Sequence, residues 1–268
     1  MPRPHSQLPS LHQPLRTTSA EGMDPLELAK AKGATSVSVC LPARNEEATI
    51  GAIVASIVHH LVECHPLVDE VVVVDDGSTD ATAEVARQAG ARVVATTSPD
   101  GKGGALRTSL AASTGDLVVW CDADIVDFHA SFVTGLLGPL LGDPSVDFVK
   151  ARYRRDLDGQ AGEGGRVTEL VARPLLARLF PHLSGFAQPL AGEYAGRRTL
   201  LEQLAFVPGY GVDLGLLIDT AELVGVGAMV QVDLGRRSHR NRPLAELVPQ
   251  ADAVLSVALD RAGIRPLP

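Results

Sequence analysis

Residues 70–80 read Glu-Val-Val-Val-Val-Asp-Asp-Gly-Ser-Thr-Asp. Four consecutive valines leave no polar face, so a strand here is covered on both sides. That is the habit of a parallel sheet under two helical layers. The run ends on two carboxylates and a Gly-Ser-Thr turn, after which Asp80 opens a helix that Gly90 closes. Upstream, 36–41 (SVSVCL) is a second buried strand. Ile50, Ile53, Val54, Ile57, Val58 and Leu61 recur at helical spacing and predict a helix over 46–63. Asn45 is its expected N-cap, with Glu46 and Glu47 at the positive end of the helix dipole. Downstream, a strand over 92–97, a helix over 103–113 and a strand over 116–121 continue the alternation. Strand and helix alternating at this spacing give an α/β fold. Its Rossmann-like, mostly parallel central sheet is flanked by helices and joined by right-handed crossovers.

The second half is less regular. A strand over 146–152 is expected, then helices over 168–180 (with Pro174 near its start), 197–205 and 213–224. A strand over 228–233 and a helix over 244–262 complete it. No repeat or linker interrupts 35–265. Residues 1–34, rich in Pro, Ser, His and Thr, read as a mobile tail with a short helix over 24–32. The rest, 35–268, reads as one domain.

Composition narrows the function. The chain has 268 residues and a formal net charge of −8, so it lacks a general nucleic-acid footprint. Its 10 aromatic residues are few for stacking on bases or long polymers. Cys40, Cys64 and Cys121 are three widely spaced cysteines with no CxxC, which speaks against zinc and fits a reducing cytoplasm. Apolar stretches stay well short of the roughly 18–20 residues of a membrane span. Of 24 basic side chains only Lys30, Lys32, Lys102 and Lys150 are lysines.

In a parallel sheet the ligand lies beyond the carboxyl ends of the strands. There stand Pro42, Ala43, Arg44, Asn45 and Glu46 after the first strand, Asp75 to Asp80 after the second, and Asp122, Ala123 and Asp124 after the fourth. Two carboxylates leaving a buried strand at i and i+2 suit a hard divalent cation bridging to phosphate; they equally suit a turn with surface acids. The Asp75–Asp80 turn can present acceptors to a nucleobase edge, or Asp80 can simply cap a helix. Gly101-Lys102-Gly103-Gly104 before a helix suits an anion, with Lys102 as a phosphate contact or a solvated loop lysine. Neither GxGxxG nor GxxxxGK[ST] occurs, which disfavours a dinucleotide fold and a P-loop. Further on, Gly164-Gly165-Arg166-Val167-Thr168 combines glycine backbone, a guanidinium fork and a hydroxyl, which suits an anion and equally suits a Gly-rich loop with a capping Thr. Arg236, Arg237, His239, Arg240, Asn241 and Arg242 form a basic cluster with an embedded imidazole.

LPARNEE, VVDDGSTD, GKGGAL and DAD, in that order, resemble the nucleotide-sugar half of GT-A glycosyltransferases. GEGGRVTELVARPLL (162–176), QPLAGEYAGRR (188–198), PGYGVDLGLLIDT (208–220) and QVDLGRRSHRNRPL (231–244) resemble the glucosyl-3-phosphoglycerate synthases. The resemblance spans roughly 35–250. It implies a GT-A fold with a nucleotide-sugar half over 35–125 and an irregular acceptor-binding half over 126–268. It implies metal-dependent, retaining transfer of glucose from UDP-glucose to the 2-hydroxyl of 3-phosphoglycerate, by a cytoplasmic homodimer serving methylglucose lipopolysaccharide biosynthesis. By resemblance Asp124 and His239 hold Mg²⁺ or Mn²⁺. Pro42, Ala43, Arg44, Asn45, Glu46, Asp76, Asp122 and Ala123 line the nucleotide, and Lys102 contacts it. Tyr210, Gly211, Val212 and Asp213 flank the donor sugar, and Arg237 reaches the diphosphate. Gly165, Arg166, Val167, Thr168 and Asn241 hold the acceptor. Asp124, Lys102, Asp213 and His239 form the catalytic set. The chain departs from the family at Asp213, where Glu is usual, and at Arg44, where a smaller apolar residue is usual. The rival expectations are a mannosyl-3-phosphoglycerate synthase using GDP-mannose, a nucleotidyltransferase and a non-catalytic nucleotide-sugar-binding module.

Overall fold

The computed structural model describes residues 14–96, 100–157, 160–162, 165–237 and 244–265. The first half runs β1 (Arg16–Ser19), α1 (Pro25–Lys32), β2 (Val37–Ala43), α2 (Ile50–Ile57), β3 (Glu70–Asp75), α3 (Thr82–Gln88), β4 (Arg92–Ala95), α4 (Gly101–Ala112) and β5 (Leu117–Trp120). The second half runs α5 (Ser131–Gly142), β6 (Phe148–Leu157), β7 (Gln160–Gly162), α6 (Arg173–Leu179), β8 (Tyr194–Arg197), α7 (Arg198–Leu201), α8 (Val212–Val224), β9 (Met229–Arg236) and α9 (Leu244–Arg261).

Eight strands make one sheet in the order β1-β9-β6-β8-β5-β2-β3-β4, with β7 hanging off β6. Every pairing along that path is parallel except the two made by β8, which runs antiparallel between β6 and β5. The valine run behaves as its pattern dictates. Val71 and Val73 face the layer of α2 and α5, while Val72 and Val74 face α4 and α8. The same alternation divides Val37, Val39 and Leu41 from Cys40, and Val119 from Val118 and Trp120. Two apolar layers thus clamp the sheet, and strands from both halves of the chain share it.

Four differences from the expected elements have physical causes. The first concerns residues 14–34, expected within the mobile tail. Here β1 pairs in parallel with β9, while α1 stands where the short helix is expected, its Asp24 cap accepting from the Leu26 N–H at 2.9 Å. The second is that α2 starts at Ile50, not 46. Asn45 does not cap it: its φ is +56°, and its side-chain oxygen accepts the Thr79 N–H at 2.8 Å. Residues 44–49 are therefore spent on a turn, and the helix widens into a π-helical turn over Val58–Cys64. Third, the helix expected over 168–180 opens as a π-helical turn over Thr168–Ala172, where Pro174 offers no N–H to the preceding turn. Fourth, the helix expected over 197–205 is only α7, because Tyr194–Arg197 is strand β8.

Candidate active site

Three strand ends open into one cleft. Pro42, Ala43, Arg44, Asn45, Glu46 and Asp76 form one wall; Gly101, Lys102, Ala105, Asp122, Ala123, Asp124, Gly209 and Tyr210 form the other. The turns after β2 and β3 are joined to each other. The Asn45 N–H donates to Ser78 Oγ at 3.0 Å, the Glu46 N–H to Thr82 Oγ1 at 2.8 Å, and the Ala81 N–H to Glu47 Oε2 at 2.9 Å. The Asp76 N–H donates to the Ala43 carbonyl at 2.9 Å. A wall held this way presents Asp76 to the cleft without needing a ligand to order it. Burial pushes the Asp76 carboxyl up, the Arg44 guanidinium pulls it back, and Asp75 adds to the rise.

The opposite wall is a chain of charges. Lys102 Nζ lies 3.0 Å from Asp122 Oδ1 and 2.9 Å from Asp213 Oδ2. Asp213, in the first turn of α8, also accepts from Tyr194 Oη at 3.3 Å. Arg237, just past the end of β9, puts Nη2 3.2 Å from Asp122 Oδ2 and 2.9 Å from Asp124 Oδ1. Its Nη1 donates to Tyr153 Oη at 2.8 Å and pairs with Glu193 Oε1 at 2.9 Å. Four carboxylates therefore face two cations. Burial alone would lower the Lys102 ammonium, but Asp122 and Asp213 outweigh it and hold it well above its ordinary value. Burial would raise Asp122, yet Lys102 and Arg237 hold it far below the usual carboxylate range.

Two backbone approaches fix this wall. A Cβ on Gly192 would stand 2.1 Å from Asp122 Oδ1, so only glycine lets the chain pass there. A Cβ on Gly103 would stand 1.8 Å from the Val207 carbonyl, which is how α4 packs against the segment leading to Tyr210. Thr49 Oγ1 donates to the Ala123 carbonyl at 2.6 Å and ties the Asp-Ala-Asp turn to the foot of α2.

The cleft brings together Pro42, Ala43, Arg44, Asn45, Glu46, Asp76, Lys102, Asp122, Ala123, Asp124 and Tyr210 of the expected residues. Asp213 and Arg237 lie behind them as the partners of Lys102 and of the two aspartates. Gly211 and Val212 are buried, Gly211 against Ala253 and Val257 of α9. Of the expected acceptor residues, Thr168 is buried and the Gly165 carbonyl accepts the Glu169 N–H at 3.0 Å. This segment and the Gly209–Gly211 turn both pack on α9. His239 and Asn241 lie outside the described residues. Sequence reading missed Glu193, Tyr153, Tyr194, Thr49 and Gly192. The one available signal was a lone Glu beside glycine in the otherwise apolar stretch Pro-Leu-Ala-Gly-Glu-Tyr-Ala.

Residues 38–194 match the profile of Glycosyl transferase family 2. A glucosyl-3-phosphoglycerate synthase of Mycolicibacterium paratuberculosis is 50% identical over 263 residues, which cover 93% of this chain and 79% of that relative. The chain belongs to the glucosyl-3-phosphoglycerate synthase family. A crystal structure of the Mycobacterium tuberculosis family member in complex with Mn²⁺, UDP-glucose and phosphoglyceric acid superimposes with a TM-score of 0.87 at 48% identity, covering 94% of this chain and 89% of that one. A second crystal structure of that protein, with Mn²⁺, UDP and glucosyl-3-phosphoglycerate, gives the same TM-score, identity and coverage. The α/β fold expected from the resemblance is thus the fold of the family.

Proposed function

We propose that this chain transfers glucose from UDP-glucose to the 2-hydroxyl of 3-phosphoglycerate, with retention and with a divalent metal. The observation that carries the reading is the charge-dense wall of Lys102, Asp122 and Asp124, facing the Pro42-to-Asp76 wall across one cleft. A family member with the same fold is known in complex with both substrates and Mn²⁺.

The donor set fits such a metal. Asp122 and Asp124 leave β5 together, Asp124 reaches the cleft with a side chain 34% exposed, and the carboxylates Asp122, Asp124, Asp213 and Glu193 outnumber the cations Lys102, Arg237 and Lys150. Among the described residues no cluster of three His, Cys, Asp or Glu could hold an ion alone, so Asp124 needs a further ligand. His239 is the expected one. When bound, Mg²⁺ or Mn²⁺ supplies neutralising charge to the diphosphate.

The chain's own residues do the rest. In the proposed step the bond from the anomeric carbon to the β-phosphate oxygen breaks, and its electron pair leaves with UDP. The acceptor 2-hydroxyl oxygen bonds to that carbon from the same face, and its proton passes to a β-phosphate oxygen. Lys102, with Arg237 behind it, stabilises the charge that develops on the leaving diphosphate. Asp213 holds Lys102 in place and flanks the donor sugar together with Tyr210, Gly211 and Val212. Pro42, Ala43, Arg44, Asn45, Glu46, Asp76 and Ala123 take the uridine. Gly165, Arg166, Val167, Thr168 and Asn241 take the acceptor.

Free cysteines at 40, 64 and 121 support a cytoplasmic enzyme. Exposed Leu244, Val248 and Leu255 along α9 support a homodimer. The product would serve methylglucose lipopolysaccharide biosynthesis. The deciding assay offers UDP-glucose and GDP-mannose separately with 3-phosphoglycerate, with Mn²⁺ or with chelator. UDP release that needs both the metal and the acceptor is expected; preferred use of GDP-mannose would overturn the glucosyl reading.

A further inference from the structure

Glu193 has no role in the reaction outlined above, yet it is fully buried beneath the site. A buried carboxylate costs desolvation unless a cation answers it. Here the cation is Arg237, whose Nη1 lies 2.9 Å from Glu193 Oε1 and 3.1 Å from Oε2. The other terminal nitrogen of the same guanidinium, Nη2, spans Asp122 and Asp124. One planar, rigid fork therefore has one prong on Glu193 and the other on the carboxylates that face the cleft. Both backbones are anchored on β6. The Ala151 N–H donates to the Glu193 carbonyl at 2.9 Å, and the Arg237 N–H donates to the Arg154 carbonyl at 3.1 Å. Tyr153, on the same strand, accepts from Nη1 at 2.8 Å. The guanidinium thus has a fixed reach, with its positive charge divided between an inner acid and two outer ones.

We propose that Arg237 is the resident counter-cation of Asp122 and Asp124, and that Glu193 is a positioning residue that sets how strongly Arg237 competes with a divalent metal for them. The inference rests on the metal-nucleotide reading of the cleft. With Glu193 ionised, part of the Arg237 charge is spent inward and the outer pair keeps enough negative charge to take an ion. With Glu193 neutral, the whole guanidinium charge answers Asp122 and Asp124, and the metal must displace it.

The test is direct Mn²⁺ binding to the purified full chain without nucleotide, read from the loss of the free-ion electron paramagnetic resonance signal. Glu193→Gln keeps the shape and removes the charge. It weakens Mn²⁺ binding by about 10-fold, the lower end of what partners behind a metal ligand cost. The double variant Glu193→Gln, Arg237→Gln removes the competitor with its holder and leaves the net charge of the buried group unchanged. Its Mn²⁺ affinity returns to the wild-type level or above, whereas a merely structural role leaves the double variant at least as weak as Glu193→Gln. Unchanged binding in Glu193→Gln, or no recovery in the double variant, overturns the inference. Asp124→Asn separates the two layers. If it loses Mn²⁺ while Glu193→Gln binds normally, only this inference falls. If Asp124→Asn binds like wild type, the metal reading beneath it falls as well.

Discussion

Lys102 shows how much one residue carries. It is the only lysine lining the cleft, and two carboxylates hold its ammonium charged against the cost of burial. Lys102→Met is expected to lower kcat about 10²- to 10³-fold, the range for removing one preorganised donor to a developing anion. The KM for 3-phosphoglycerate stays within about twofold, because that interaction is absent from acceptor binding. Steady-state UDP release at varied acceptor checks it, and a raised acceptor KM with kcat intact would sink the assignment. Lys150 makes the contrast. Its Nζ donates to the Ala191 carbonyl at 2.9 Å and sits 4.5 Å over the Tyr194 ring, and burial pulls its pKa down to about 8. The unfolded chain, with an ordinary lysine near 10.5, holds this proton between pH 8 and 10.5 while the folded chain has lost it. Wild-type stability therefore gains with rising pH across that window relative to Lys150→Met, by up to about 3 kcal/mol. Denaturant midpoints of both proteins at pH 7.5 and 10 measure it; parallel trends would show that Lys150 titrates normally.

At the scale of the element, the stretch before β8 is the part most sensitive to a small change. Gly192→Ala is expected to express as folded protein and to lose most turnover, since the added methyl meets the Asp122 carboxylate 2.1 Å away. Gly185→Ala, whose Cβ has only ordinary contacts with Leu15, serves as the control. Circular dichroism with UDP release distinguishes the two; full activity in Gly192→Ala would mean that Asp122 can move without harm. This stretch was also the least legible. The parallel strands β2, β3, β4 and β5 announce themselves as apolar runs closed by turn residues, and the cleft residues stand at their ends. Strand β8 is four residues long, contains a glycine, and ends in an arginine that suits a helix equally well. Its pairing with β6 and β5 depends on chain far away. Glu193 and Tyr153 were invisible for the same reason: they meet Arg237 from 44 and 84 positions away, across a sheet whose order no local pattern encodes. Asn45 failed as a cap because a partner on a neighbouring turn claimed its side chain.

Across the whole molecule, the sheet separates chemistry from stability, because the cleft occupies the carboxyl ends of the strands and a second polar network ties the opposite ends. Glu70 opens β3 at that far end. It accepts from Ser38 Oγ at 2.7 Å, from the Thr114 N–H at 2.6 Å and from Arg92 Nη2 at 2.7 Å, so it joins β2, β4 and the turn before β5. Burial would raise its pKa, but the Ser38, Arg92 and Thr114 bonds together hold it down near 2. The folded value thus lies below the ordinary 4.5, and between the two the unfolded chain binds more protons. The stabilisation is present in full above about pH 4.5 and is lost as pH falls toward 2. Since Arg92 is half exposed, the full shift overstates what water leaves of it, and Glu70→Gln is expected to cost about 1–2 kcal/mol at pH 7. The deficit shrinks toward zero as the wild-type carboxyl protonates, so it is smaller at pH 3 than at pH 7 and the unfolding curves for the two proteins converge only at about pH 2. Turnover at pH 7 stays at the wild-type level, because no described contact of Glu70 reaches the cleft wall. A deficit of equal size at pH 3 and pH 7 would assign the loss to packing rather than charge, and a fall in kcat would show that the two ends of the sheet are coupled.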